Sequence, residues 1–546
     1  MTQGEVAFVL HTHLPWLRGH GTWPVGEQWL FEAWSSSWYP VTRALLRLAD
    51  EGRTNLMTLG VTPLVAAQVA DERMRAELDT WLHVEMWRSE EQRQATWYLG
   101  EEVGALGSWY WRHFRDLIEF HHEVEARGGL LAIWSRLQDD GVIEILGGPA
   151  THPYLPLQSD MDLVATQLRA GLDAHEQWSG RRPEGIWVPE MGYRPAGPVA
   201  DATAEPRSVD AFGTPDLPRL PGDRPGLEEL YAAAGVRHFL VDAPTLVRAA
   251  GGPDRDWTVR PEVPDPALGD PYEVVHDGVL VGASDVAAYA RDLSVAYHVW
   301  SPSEGYPGDD WYRDFFARGS FGLHPSWRVT DKSLSPMDKA PYDPDGAVAA
   351  TERHVAHLLG VLRSTLDPRP GSLVVAAYDT ELFGHWWFEG PTWLEGILRA
   401  VSDDPHLRTT TLGERRRSHP PTRRLDLPES SWGYAKGHAS WVTPETRPMW
   451  EGLRACEDRW RALPAGPDAR DDVARARTQA LRELAQLQCS DWPFMVTRGN
   501  SPDYAFGRFH GHRERFDALC VMVESGAVDA DRLAAWEALD PAPERI

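Results

Sequence analysis

Seven apolar, β-branched runs recur along the chain, and each ends in a polar or aromatic cluster. They are residues 6–15 (VAFVLHTHLP), 54–63 (TNLMTLGVTP), 141–153 (GVIEILGGPATHP), 185–193 (GIWVPEMGY), 235–244 (GVRHFLVDAP), 295–302 (VAYHVWSP) and 372–385 (SLVVAAYDTELFGH). Between many of them, apolar positions recur at helical spacing, as in 40–52, 162–178 and 350–366. Strands alternating with helices predict an α/β fold, a parallel sheet joined by crossover helices. Seven such strands point to a closed or nearly closed barrel, in which chemistry gathers at the C-terminal strand ends. The unusual residues of this chain lie at those ends.

Two regions break the rhythm. Residues 64–140 are helical, charged and rich in tryptophan, and read as an insertion after the second strand. Residues 413–546 open on a basic, proline-containing link and carry long helical patterns such as 471–488, which predicts an α-helical C-terminal domain. The catalytic barrel is then expected from 1–63 and 141–412. Loops rich in Pro, Gly and Asp occupy 203–227 and 251–272, lengths found in lids and in disordered segments.

Composition narrows the function classes. A chain of 546 residues with 42% hydrophobic content holds more than one compact domain. A formal charge of −27 repels phosphate backbones and anionic lipid, so neither nucleic acid nor a membrane is an expected partner. No unbroken apolar stretch is long enough to span a bilayer. The first residues lack a basic leader with a cleavage site, and Cys456, Cys489 and Cys520 have no C-x-x-C spacing. Both features predict a reducing cytoplasm and no structural zinc. The 26 tryptophans serve a large core in part. Their flat faces, each with one N–H at the rim, also suit the C–H faces and hydroxyls of sugars.

Four clusters could carry chemistry. His11 and His13 share one strand face, a pattern that serves either metal ligation or hydrogen bonds to a polar ligand. With no carboxylate cluster beside them, substrate hydroxyls are the better fit and no metal is expected. His152 lies where a strand breaks into a loop. Glu190 ends a strand among Trp187, Met191 and Tyr193, a poorly solvated place where a carboxylate needs specific donors. Glu184, before the same strand, better fits an ion-paired surface acid. Asp379 ends the last strand, just before Phe383, Trp386, Trp387 and Phe388, and Glu381 shares its face, so spacing does not choose between the two acids. Two carboxylates on separate strand ends in aromatic surroundings meet the needs of glycoside cleavage.

In order, HTHLP, GGPATHPYLP, IWVPEMGY, YDTELFGHWW and SDWPF resemble the signatures of glycoside hydrolase family 57, over residues 7 to about 510. WPVGEQWLFEAW (23–34), RDLSVAYHVWSPSEGYPGD (291–309), SSWGYAKG (430–437) and CSDWPF (489–494) resemble that family's 1,4-α-glucan branching enzymes, rather than its α-amylases or 4-α-glucanotransferases. The resemblance implies an incomplete (β/α)7 barrel with a helical insertion and a helical C-terminal domain, an α-1,4-glucan as substrate, and no cofactor or metal. It makes Glu190 the nucleophile and Asp379, in preference to Glu381, the general acid/base. His11, His13 and His152 would line the sugar at the point of cleavage, with Trp23, Trp29 and Trp300 around the groove. Arg291, Gly308, Trp432 and Asp491 would contact the glucan. In the family a tyrosine of the loop before Arg291 covers the acceptor site. Here that loop (261–278) departs from the pattern; Tyr272 is its tyrosine and the nearest candidate for that role, which is not assigned.

Three rivals stand beside this reading. An amylase or glucanotransferase of the same family differs in product linkage. A metal-dependent deacetylase or mannosidase would use His11 and His13 as ligands and fail with a chelator. A glucan-binding protein without catalysis would bind and not turn over. Oligomeric state and branch length are not legible in the chain.

Overall fold

The computed structural model describes residues 3–541 apart from 24, 95–99, 212, 253–274, 302–304, 318–322, 336–337, 367–370 and 465–469. Seven strands run parallel: β1 (Gly4–Thr12), β2 (Met57–Val61), β3 (Ile143–Leu146), β4 (Gly185–Ile186), β5 (His238–Asp242), β6 (Ala287–Arg291) and β7 (Leu373–Asp379). Their order around the barrel is β7-β1-β2-β3-β4-β5-β6, with β3 and β4 joined by a bridge between Gly147 and Ile186. The ring does not close as a ladder. At its edge β6 pairs instead with Val279–Val281, antiparallel, and that strand pairs with Arg424–Leu425. One backbone bond, Asp292 N–H to Val375 O at 2.9 Å, crosses from the end of β6 to β7. This is the incomplete (β/α)7 barrel that the family resemblance implies.

Both faces of these strands are buried, as expected of a parallel barrel. Val6, Phe8 and Leu10 of β1 and Val374, Ala376 and Tyr378 of β7 pack outward among the helices. Ala7, Val9, Leu373, Val375 and Ala377 pack inward with Trp187, Met191 and Leu240. The alternation of β1 and β7 carries His11 and Asp379 to the inner side at the top, where they are register partners.

The sixth strand corrects the sequence reading. Residues 295–301 do not form it, and 302 lies outside the described residues; Leu293–Trp300 is a helix, and the strand lies just before, at Ala287–Arg291. Asp292 ends the strand and caps the helix, its side chain accepting the N–H of Val295 at 3.0 Å. Apolar Val295, Ala296 and Val299 then turn one face to the core.

Among the described residues, four helices run between β2 and β3, including the long pair Glu72–Gln94 and Glu101–Ala126. The C-terminal helices Arg447–Ala462, Asp471–Leu487, Asp491–Arg498, Pro502–Ser525 and Ala530–Leu539 share a second core that includes Trp441, Trp450, Trp492 and Phe516. Tyr154, from the loop after β3, is buried in that core. Cys456, Cys489 and Cys520 are buried free thiols. Among the described residues no helix is long and apolar enough to cross a membrane.

Candidate active site

A cavity of about 780 Å³ opens at the C-terminal ends of the strands. It takes in eleven of the twelve residues singled out in the sequence: His11, His13, Trp23, Trp29, His152, Glu190, Arg291, Trp300, Asp379, Trp432 and Asp491. Gly308 is not in its lining. It ends a buried turn, Tyr306–Gly308, whose tyrosine stacks on His354 and bonds to His357. Tyr272 lies outside the described residues.

Glu190 is reached by a sharp turn. After Val188 the backbone enters the left-handed region at Glu190 (φ 60°) and Met191 (φ 47°). That geometry costs about 1–3 kcal/mol per residue and persists only where neighbours enforce it. Here they do. Trp432 donates its backbone N–H to Glu190 O at 3.0 Å and its indole N–H to Oε2 at 2.8 Å. Ser490 donates its hydroxyl to Oε1 at 2.7 Å. Burial raises the Glu190 pKa, and the two donors only partly offset it.

Asp379 faces the same cavity from β7. Burial of its carboxyl, and then the negative charge of Glu190, lift its pKa to about 8. Glu381, one turn on, is buried and also driven well up, by burial and by Asp379. It accepts from Trp38 Nε1 at 2.7 Å and from the His13 backbone at 3.3 Å, which places it as a support of the wall.

The histidines pack as a stack. His11 lies on Trp187 with ring centroids 4.3 Å apart and planes 5° from parallel, and His13 lies on His152 at 3.7 Å. His11 Nε2 and His152 Nε2 are 3.0 Å apart. Burial first, and neighbouring histidines second, keep His11 and His152 neutral, well below their ordinary pKa. His13 pairs with Asp491 at 2.9 Å, and that partner brings the Asp491 pKa down against the opposing effect of burial. The nitrogens of His11, His13 and His152 lie close enough together to gather round a cation, as do the ligand atoms of His13, Cys489 and Asp491. In this structure the facing nitrogens of His11 and His152 are bonded to each other instead.

Arg291 is held in place by a two-pronged pair with Asp242, both contacts at 3.0 Å, and Lys436 joins the same carboxylate at 2.9 Å. Asp242 and Arg291 are register partners on β5 and β6, which fixes the pair across the sheet. The guanidinium lies 5.2 Å above the Trp432 ring. Aromatic rings continue outward from Trp432 to Trp300 (6.3 Å) and Trp386 (6.0 Å from Trp300). Trp23, 73% exposed, stands at the cavity rim as a bare platform.

Reading the chain by itself missed Ser490, Lys436 and Asp242. Ser490 and Lys436 sit inside quoted motifs, and their polarity beside buried partners was the available signal. The arrangement offers one carboxylate with two fixed donors, a second held protonated near neutral pH, and an aromatic trough leading to both. That set can cleave a glycosidic bond in two displacement steps.

Comparison with known proteins agrees with this chemistry. The profile of glycosyl hydrolase family 57 matches residues 7–259, and that of the 1,4-alpha-glucan branching enzyme C-terminal region matches residues 453–546. A probable 1,4-alpha-glucan branching enzyme of Mycobacterium tuberculosis is 36% identical, over 98% of this chain and 96% of its own. A 1,4-alpha-glucan branching enzyme of Thermococcus kodakarensis is 33% identical, over 98% of this chain and 77% of its own. The crystal structure of the Thermococcus enzyme superposes with a TM-score of 0.87, at 32% identity, covering 98% of this chain and 94% of that one. An α-amylase of Thermotoga maritima superposes with a TM-score of 0.77 at 25% identity, covering 99% and 97%.

Proposed function

This chain belongs to glycosyl hydrolase family 57, and on that footing we propose that it is a retaining 1,4-α-glucan branching enzyme. The observation that carries the reading is the pair Glu190 and Asp379 in one aromatic-walled cavity, with burial first and the charge of Glu190 second keeping Asp379 protonated. The match of residues 453–546 to the branching-enzyme C-terminal profile, and identities of 36% and 33% to branching relatives against 25% to the α-amylase, favour branching over amylase chemistry.

Glu190 attacks C1 of a glucosyl unit while Asp379 gives its proton to the departing O4. A β-glucosyl ester and a free chain end result. The 6-hydroxyl of another glucan segment then attacks C1, Asp379 takes its proton, and Glu190 leaves as a carboxylate. Two inversions keep the α configuration and form an α-1,6 branch. Esterification removes the Glu190 charge, which lowers the Asp379 pKa and suits it to the base role. Trp23, Trp29 and Trp300 stack on the glucan, each contact worth on the order of 1 kcal/mol beyond area burial. His11, His13, His152, Arg291, Trp432 and Asp491 shape the sugar site. No step needs a metal or cofactor. Buried free thiols fit a cytoplasmic enzyme acting on a glycogen-type polymer.

The test is the product. Amylose incubated with the protein gains α-1,6 anomeric signal in proton NMR with little new reducing sugar, and Glu190→Gln abolishes the gain. Abundant reducing ends without branches would mark an amylase, and new α-1,4 chain lengths alone a glucanotransferase.

A further inference from the structure

The groups behind Glu190 form a line of hydrogen bonds whose directions the carboxylate fixes. Ser490 spends its proton on Glu190 Oε1 at 2.7 Å, so its oxygen accepts from His152 Nδ1 at 2.9 Å. His152 then carries its proton on Nδ1 and offers a bare Nε2 to His11 Nε2 at 3.0 Å, which must donate. The far nitrogen, His11 Nδ1, is left bare and buried with no partner among the described residues. Ser490 also donates its backbone N–H to His152 O at 2.9 Å, and so grips a residue held in the left-handed region, φ 56°. His11, His152 and Ser490 are all buried, so solvent does not stand in for any of these bonds.

Resting on the reading of Glu190 as nucleophile, we propose that Ser490 is a positioning residue that fixes the orientation and the charge of that carboxylate, with the tautomers of His152 and His11 locking Ser490 in its donor role. No proton travels along the line. Ser490 keeps its proton through both half-reactions, favouring the free carboxylate before attack and again as the leaving group when the ester opens. The other titratable groups whose charge acts with that of Glu190 are Asp379, His13, Asp491 and Tyr154, and the bonds of the Ser490 hydroxyl run to Glu190 and His152 instead.

Full-length Ser490→Ala and Ser490→Cys test this, read as the initial rate of α-1,4 bond cleavage in amylose across pH, whatever the product. Ser490→Ala should lose about tenfold to a hundredfold in kcat with KM little changed, the value of a charge-assisted bond. Its acidic limb should move up by about one pH unit, because the charged form has lost a donor. Ser490→Cys, close in volume and a weaker donor, should move the limb the same way by less, and it decides the matter if the alanine variant does not fold. A folded variant whose acidic limb stays at the wild-type position overturns the proposal. Cleavage without α-1,6 product would remove the branching reading and leave this test intact.

Discussion

The indole N–H of Trp432 points at Oε2 of Glu190 from 2.8 Å, while the backbone N–H of the same tryptophan bonds the carbonyl oxygen of the same glutamate at 3.0 Å. One residue thus holds both ends of the other. Replacing the ring by phenylalanine keeps the aromatic face and the backbone bond and deletes only the donor. Trp432→Phe should therefore retain affinity for long glucans and lose about tenfold to a hundredfold in kcat. Steady-state rates on amylose check this, and a rise in KM with kcat intact would make Trp432 a sugar platform only.

The two acids set opposite limbs of the pH profile. The first half-reaction needs Asp379 protonated, so the rate should fall as pH passes about 8. It also needs Glu190 ionised, so the acidic limb should lie above the ordinary carboxylate range, in the direction that burial drives it. Initial rates from pH 4 to 10 give both limbs. A rate still level at pH 10 removes Asp379 from the general acid role.

The same acid costs stability. Its folded pKa of about 8 exceeds its ordinary 3.8, so the folded state binds more protons than the unfolded state between those values. Stability is lost as pH rises through that window. Asp379→Asn removes the charge, and at pH 8–9 it should be more stable than the wild type by roughly 1 kcal/mol or more while inactive. The gap should shrink towards pH 4. Denaturation midpoints across pH measure it, and an Asn variant less stable at pH 9 than at pH 4, relative to wild type, contradicts the sign.

Asp242 is fully buried and holds two cations, Arg291 and Lys436. Their charges bring its pKa below the usual carboxylate value although burial opposes ionisation. Asp242→Asn leaves both cations short of a counter-charge, and breaking such a buried pair costs about 3–5 kcal/mol. Thermal melts should show that loss, and a melt within a degree of the wild type would mean that solvent reaches the group.

How much of this was legible in the chain depends on the distance over which each signal acts. Glu190 and Asp379 announce themselves locally, because an acid directly after an apolar run and among aromatics has few other uses. Most strands were visible as β-branched runs. The sixth was not: AAYAR has no branched residue, and the helix behind it, with two valines and two aromatics, looks more like a strand than the strand does. Asp292 was the available signal, since an acid that ends one element and caps the next marks the boundary. Gly308 illustrates the reverse. It stands in a recognisable motif, yet it is not part of the cavity lining, and the tyrosine of its turn packs against His354 and bonds to His357. The grip of Ser490 on Glu190 and His152 depends on meetings across hundreds of residues, which no local pattern encodes.

The two donors of Glu190 arrive late. Trp432 follows it by 242 residues and Ser490 by 300. While a ribosome is still short of residue 430, the emerging chain already carries both acids but neither of the two donors to the carboxylate of the first. The site is therefore completed only in about the last fifth of the chain to be made.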